Sequence, residues 1–131
     1  MFEKYTLVTR GFQNVVENGQ VLGFQIKIRI PYYRGIYLAL INSLEITVDG
    51  QKFSPSQLRF SIAGRTFTMD EMAREENARW PFGEPATVTV LKPEGLALGL
   101  HEVTLEQAIK PAYMPGRGFT SQITRKLTLV A

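Results

Sequence analysis

The fold is decided by the stretch Phe24–Ile30, which reads FQIKIRI and alternates apolar with polar residues. Successive side chains of a β-strand point to opposite faces, so this alternation predicts a strand with one buried and one solvated face. The same period of two recurs in five later segments: Leu44–Asp49, Leu58–Ile62, Thr87–Val90, Glu102–Glu106 and Ile123–Leu129. Strands of this kind are typical of antiparallel sheets that cover a core with one face.

Turn-forming residues separate these segments. Asn18-Gly19 and Asp49-Gly50 can both adopt the positive φ angles that a tight hairpin requires. Further turn signals lie at Ala63-Gly64, Pro93–Gly95 and Leu98-Gly99. About seven or eight strands joined in this way predict an all-β fold, a single antiparallel β-sandwich over residues 1–131, either Ig-like or jelly-roll-like.

One short helix is predicted near residues 69–76. Thr68 and Glu71 have the spacing of a capping box, in which each residue bonds the backbone N–H of the other. Phe67 and Met72 are placed to form the hydrophobic staple that often accompanies such a cap. We therefore expect a capped helix between two strands of the sandwich.

Composition excludes several classes of function. The 131 residues suit one domain. The absence of cysteine excludes disulfides and thiolate metal sites, and the presence of a single histidine argues against a metal centre or Ser-His catalysis by this chain alone. The 15 Lys and Arg against 12 Asp and Glu are spread evenly, without the basic tract of a nucleic-acid binder. No apolar run approaches the ~20 residues of a membrane helix, and Met1–Tyr5 does not resemble a signal peptide, so we expect a cytoplasmic protein.

His101 and the acidic residues of the predicted helix are the other candidates for chemistry. His101 stands at the start of a late strand after a tight turn, and we favour a structural role because a lone histidine lacks an orienting partner, although a carboxylate could approach it in the fold. Asp70, Glu71, Glu75 and Glu76 are interpreted as a solvated helix face. A glycosidase would instead require two carboxylates across a cleft.

Three loops combine aromatic residues with arginine: Pro31–Gly35 (PYYRG), Arg79–Gly83 (RWPFG) and Pro111–Arg117 (PAYMPGR). Tyr, Trp, Met and Arg are enriched at the centres of protein interfaces, where they bury large areas and keep a polar group. We interpret the three loops together as a binding surface. The alternative is that Trp80 and one or two of the tyrosines close the ends of the core.

Six stretches of the chain are shared with a known family: Phe2–Tyr5, Pro31–Gly35, Ile46–Gly50, Gly64–Met72, Trp80–Ala86 and Tyr113–Pro115. In these stretches, and over nearly the whole chain, the sequence resembles the small (beta) subunit of bacterial C-glycoside deglycosidases. The shared motifs are structural and interfacial rather than catalytic. The resemblance therefore points to a family more directly than to an activity.

The resemblance implies a larger alpha subunit as partner, a TIM barrel similar to sugar-phosphate isomerases that holds a divalent metal, with manganese as the expected ion. Such a complex is a lyase that cleaves the carbon–carbon bond between a 3-oxo sugar and an aromatic aglycone, such as that of a flavonoid glycoside. On this hypothesis the present chain has no catalytic residue, no metal and no cofactor of its own, and is inactive when isolated.

The residues that we then expect at the partner interface or the rim of the active site are Tyr32, Tyr33, Arg34, Gly35, Arg79, Trp80, Tyr113 and Met114. They would order the partner's loops and exclude water from the reaction. A second hypothesis is a stand-alone carbohydrate-binding β-sandwich module, in which Tyr32, Tyr33 and Trp80 stack on sugar rings. A structural Ig-like module and a stand-alone enzyme are less favoured.

Overall fold

The computed structural model describes residues 6–31, 35–109 and 119–131. The strands are β1 (Leu7–Glu17), β2 (Gln20–Ile28), β3 (Ile36–Tyr37), β4 (Ile41–Val48), β5 (Gln51–Lys52), β6 (Leu58–Ile62), β7 (Arg65–Thr68), β8 (Arg79–Trp80), β9 (Ala86–Leu91), β10 (Gly99–Ile109) and β11 (Phe119–Leu129). Helix α1 spans Met69–Ala73, and two 3-10 turns span Leu38–Leu40 and Pro55–Gln57. No helix in the described ranges is long and apolar enough to cross a bilayer.

The described strands form two main antiparallel sheets and a short ribbon. One sheet has the order β1-β2-β9-β6-β7 and the other the order β11-β10-β4-β5, while β3 and β8 pair with each other. Phe24 of β2 packs edge-on against Phe53, which follows β5, with ring centroids 5.5 Å apart. Phe12 of β1 likewise packs against His101 of β10 at 6.0 Å. The two sheets thus face each other, which confirms the predicted all-β sandwich.

The core lies between these sheets and follows the alternation of the sequence. Phe24, Ile26 and Ile28 of β2 are fully buried, while the residues between them are partly exposed. Opposite strands repeat this pattern, with Ile46 of β4 and Val103 of β10 also fully buried. Each such side chain contributes about 1.5–3 kcal/mol by leaving water, so the period of two provides most of the driving force for the fold.

The predicted helix is present and its cap is confirmed. The Thr68 hydroxyl accepts from the Glu71 backbone N–H at 3.1 Å, and the Glu71 carboxylate accepts from the Thr68 backbone N–H at 2.8 Å. The helix ends at Ala73, before the predicted boundary. The residues that follow it pair with the 38–40 turn instead: the backbone N–H of Ala39 donates to the carbonyl of Glu75 at 3.2 Å, and that of Leu38 to the carbonyl of Ala78 at 2.9 Å.

The sheets are also joined at one corner. Gln13 of β1 forms a parallel bridge with Val130, which follows β11, and the Val130 N–H donates to the carbonyl of Phe12 at 3.3 Å. Strand β1 is irregular nearby, because its pairing with β2 is shifted between Val8 and Gln13, around Gly11. The irregular strand therefore bends from one sheet towards the other.

Candidate partner interface

The described residues that lead into the aromatic loops lie at one end of the sandwich. Ile109 at the end of β10 pairs with Ile41 on one side and with Phe119 on the other. Gln107, two residues earlier, donates from its side-chain amide to the carbonyl of Arg29 at 3.1 Å. In the facing sheet, Ala86 pairs with Ile28, which places the 79–85 loop at this end too. We call it the loop end.

Two of the predicted loops are in direct contact at the loop end. A Cβ atom on Gly35 would lie 2.9 Å from the carbonyl oxygen of Trp80 and 3.1 Å from the Cα of Pro81. Glycine is required where two backbones approach this closely. The β3–β8 ribbon begins at the next residue, so the backbone pairing of Ile36 with Trp80 holds Gly35 beside the 79–83 loop.

Trp80 lies in the hydrophobic core rather than on the surface. Its side chain is fully buried and packs edge-on against Phe60, with ring centroids 5.1 Å apart. The indole N–H donates to the carbonyl of Glu84 at 2.8 Å, which closes the 80–84 turn. In this conformation the ring cannot stack on a sugar, as the carbohydrate-module hypothesis required. It instead supports the exposed residues on either side of it.

Those exposed residues form what we call the ribbon patch, which consists of Tyr37, Arg79 and Phe82 and lies beside the half-buried Gly35. Arg79 and Tyr37 are paired across the ribbon, and the Arg79 guanidinium carbon lies 5.3 Å from the centroid of the Tyr37 ring. Tyr37 is 43% exposed and Phe82 is 54% exposed. A cation over an aromatic face is a modest attraction that fixes both side chains. The patch thus presents a preordered cation over the exposed ring of Tyr37, and the exposed ring of Phe82 lies on the turn that follows the ribbon.

The sequence prediction named Arg79 and the neighbouring Gly35, and included Phe82 only as part of the Arg79–Gly83 loop, but it missed Tyr37. Strand β3 is two residues long, with Ile36 buried and Tyr37 exposed, and no periodicity can be recognised over two residues. A usable signal was the position of Tyr37 just after an aromatic loop. The remaining predicted residues, Tyr32, Tyr33, Arg34, Tyr113 and Met114, lie outside the described residues.

His101 lies at the opposite end of the sandwich, eight residues along β10 from Ile109, or roughly 27 Å at the usual rise per residue. Its Nδ1 lies 2.6 Å from the Asp49 carboxylate, and its Nε2 lies 2.7 Å from the Ala97 carbonyl oxygen. Asp49 also accepts from the Glu102 backbone N–H at 2.9 Å. Asp49 is therefore the carboxylate whose approach to His101 the sequence analysis considered, and its contacts join the β4–β5 turn to β10.

Both groups have shifted pKa values. Burial opposes the charged form of His101, but the hydrogen bonds to the Ala97 carbonyl and to Asp49 outweigh it and raise the pKa of the imidazole. The hydrogen bond from His101, followed by the one from the Glu102 N–H, lowers the pKa of Asp49. The pair is therefore stable as an imidazolium and a carboxylate. In residues 6–31, 35–109 and 119–131, no three His, Asp or Glu side chains are grouped as a metal site requires.

Comparison with known proteins identifies the family. A family model described as C-glycoside deglycosidase beta subunit matches residues 2–113. The chain belongs to this family. The resemblance seen in the sequence motifs is thus confirmed, and the matched range includes every residue of the ribbon patch.

Individual relatives agree with this assignment. The C-glycoside deglycosidase beta subunit of Eubacterium cellulosolvens is 37% identical over 114 residues, which cover 86% of this chain and 78% of the relative. The 3'-dehydrocarminate deglycosidase beta subunit of a Microbacterium species is 33% identical over 98 residues, which cover 73% of this chain and 72% of the relative. These names describe beta subunits, so a member of the family is a component of a larger enzyme.

Proposed function

We propose that the chain is the non-metal-binding beta subunit of a heteromeric C-glycoside deglycosidase, and that it docks on and organises a larger, metal-dependent TIM-barrel alpha subunit. The observation that supports this most directly is membership of a family whose named relatives are beta subunits of deglycosidases. A beta subunit implies a partner. The proposal adds the fold and the metal dependence of that partner, and the isolated chain is expected to be inactive.

The proposed reaction is a lyase reaction on a 3-oxo-C-glycoside. The ketone at C3 of the sugar acidifies the C2–H bond, so that a base can remove this proton. The electron pair left at C2 forms a double bond to C1 and expels the aromatic aglycone, which takes up a proton. A divalent metal, manganese in this proposal, supplies charge stabilisation to the oxygens of the sugar when bound.

The described residues of this chain do not fit such a metal, because they contain no group of three acidic or imidazole ligands. His101, the single histidine, has both ring nitrogens in contact with oxygen atoms of its own chain. We therefore assign the metal and the base to the alpha subunit. The contribution left to this chain is to bind that subunit and order its loops around the substrate.

The ribbon patch is the described surface best suited to this binding. Its residues are of the types that dominate interface energetics, namely aromatic side chains and an arginine. The buried Trp80 and the Phe60 ring beneath it hold the ribbon in one conformation, which reduces the entropy lost on docking. Tyr32, Tyr33, Arg34, Tyr113 and Met114 remain proposed members of the same interface.

Co-expression with the large subunit tests the proposal. The two chains would be purified through a tag on the large subunit, sized by chromatography with mass detection, and assayed for aglycone release from a 3-oxo-C-glycoside with and without Mn²⁺. We expect co-elution and metal-dependent release. A monomer that ignores the large subunit contradicts the proposal, and glycan binding by that monomer would favour the carbohydrate-module hypothesis instead.

Substitutions separate the ribbon patch from the rest of the surface. Arg79→Ala removes the exposed cation and should weaken binding of the large subunit at least tenfold, since hot-spot residues, among which arginine is enriched, contribute about 2 kcal/mol or more. Arg10→Ala is the matched control, because Arg10 is an exposed arginine on β1, away from the ribbon. Equal effects of the two substitutions would exclude the ribbon patch as the docking surface.

A further inference from the structure

Both ring nitrogens of His101 are in short contact with oxygen atoms of the same chain, whatever the function of the protein. Each ring nitrogen faces an oxygen that can only accept: a carboxylate oxygen of Asp49 at 2.6 Å and the carbonyl oxygen of Ala97 at 2.7 Å. A neutral imidazole has one N–H and one bare nitrogen, so it can satisfy one of these oxygens and must repel the other. An imidazolium satisfies both.

We propose that His101 controls the segment Ala97-Leu98 in a pH-dependent way. The charged ring holds this segment against the sandwich, and loss of a proton from the ring releases it. The remaining proton stays on Nδ1, because the hydrogen bond to the Asp49 carboxylate is the charge-assisted one. The bare Nε2 then faces the Ala97 carbonyl, lone pair against lone pair. This contact breaks, and the segment moves away from β10.

Few charged groups among the described residues lie close enough to influence the protonation of the His101 ring. Asp49 faces it from the β4–β5 turn, and among the described residues it is the charged side chain that bonds the ring. From β1 the neighbour is Phe12, whose ring is edge-on at 6.0 Å, and the cross-strand partner on β11 is the apolar Leu127. Glu102 and Lys126 pair with each other across β10 and β11 and are exposed on the other face.

The rest of the loop between β9 and β10 is fixed independently of pH. Lys92 donates from its ammonium to the Gly95 carbonyl at 2.9 Å, and Glu94 lies in the exposed turn between them. Asn14 holds Leu96 on both sides, accepting from its N–H and donating to its carbonyl, each at 2.9 Å. Release is therefore confined to Ala97 and Leu98, next to the imidazole.

The single histidine makes the test direct. The full chain, labelled with ¹⁵N-histidine, would be titrated from about pH 5 to pH 9 while the two ring nitrogens are followed by long-range ¹H–¹⁵N correlation spectra. We expect an imidazolium at low pH, a midpoint above the ordinary histidine value of 6.5, and a neutral form that keeps its proton on Nδ1. In a uniformly ¹⁵N-labelled sample, the amide signals of Ala97 and Leu98 should shift with the same midpoint, and that of Leu96 should not.

Two substitutions complete the test. Asp49→Asn removes the carboxylate but keeps the size of the side chain, and should move the midpoint of the ring and of the Ala97 amide downwards together. Glu102→Gln removes an equal charge at an exposed neighbouring residue whose side chain does not touch the ring, and should leave both midpoints unchanged. A midpoint at or below 6.5 in the unmodified chain, or an Ala97 amide that does not follow the ring, would overturn the proposal.

Discussion

Replacement of Gly35 by alanine tests the link between the two loops at the loop end. The added Cβ would lie 2.9 Å from the Trp80 carbonyl oxygen, 3.1 Å from the Pro81 Cα and 3.3 Å from Nη2 of Arg79. Two of these three neighbours are backbone atoms that belong to a paired ribbon. They cannot rotate away as a side chain can, so the ribbon must shift by a few tenths of an ångström.

The expected cost follows from two opposing effects. Overpacking against backbone of this kind costs about 1–3 kcal/mol. The smaller conformational freedom of alanine in the unfolded chain offsets about 0.4–1 kcal/mol of this. We therefore expect Gly35→Ala to lower the free energy of unfolding by about 1–2 kcal/mol. For a slope of about 2 kcal/mol/M, the middle of the usual range, this lowers the urea midpoint by roughly 0.5–1 M.

Tryptophan fluorescence is the appropriate assay, because Trp80 is the single tryptophan of the chain and is fully buried next to the substitution. The unfolding midpoint gives the free energy, and the emission maximum of the folded variant reports any opening of the ribbon. Gly19→Ala serves as a control, since its Cβ would meet nothing within 4 Å while its φ of +78° still disfavours alanine. It should destabilise the chain without changing the folded emission. A Gly35→Ala variant as stable as the unmodified chain would refute the close-approach argument.

Three further predictions concern other contacts. The free energy of unfolding should fall as pH rises from 6.5 through the raised pKa of His101, because the folded state binds the imidazole proton more tightly than the unfolded state does. His101→Gln should abolish this slope in urea titrations. Thr68→Ala removes the helix cap and should cost about 1 kcal/mol in thermal or chemical unfolding. Trp80→Phe keeps a ring against Phe60 but leaves the Glu84 carbonyl without its indole donor, and should cost about 1–3 kcal/mol, measured by circular dichroism.

The sequence predicted those strands whose alternation is unbroken. Phe24–Ile30 corresponds to β2, although the strand ends at Ile28. Strand β1 was missed for a physical reason: its pairing register shifts near Gly11 and again between Val15 and Val16, so its apolar residues do not recur with a period of two. Local patterning identifies a strand only where the strand is regular.

The candidate site was less accessible to sequence reasoning, because it depends on contacts between distant segments. The approach of Asp49 to His101 spans 52 residues, and no local pattern encodes it. Similarly, Trp80 and Tyr37 are both aromatic residues close to an arginine, yet one is fully buried and the other is 43% exposed. The difference arises from the pairing of β3 with β8, and these two-residue strands are too short for a hydrophobic periodicity to predict.

The bridge between β1 and β11 also bears on self-association. The outer strand of a sheet normally offers unpaired backbone groups to which another chain can add. Among the described strands, β1 and β11 are outer strands of the two main sheets, and the backbone of β1 at Phe12 and Gln13 pairs with Val130, the residue after β11. The side chains of Gln13 and Val130 are exposed there, but these backbone groups are already paired. The irregularity at Gly11, which breaks the period of two in β1, thus lies next to a pairing that occupies backbone groups otherwise open to edge-to-edge aggregation.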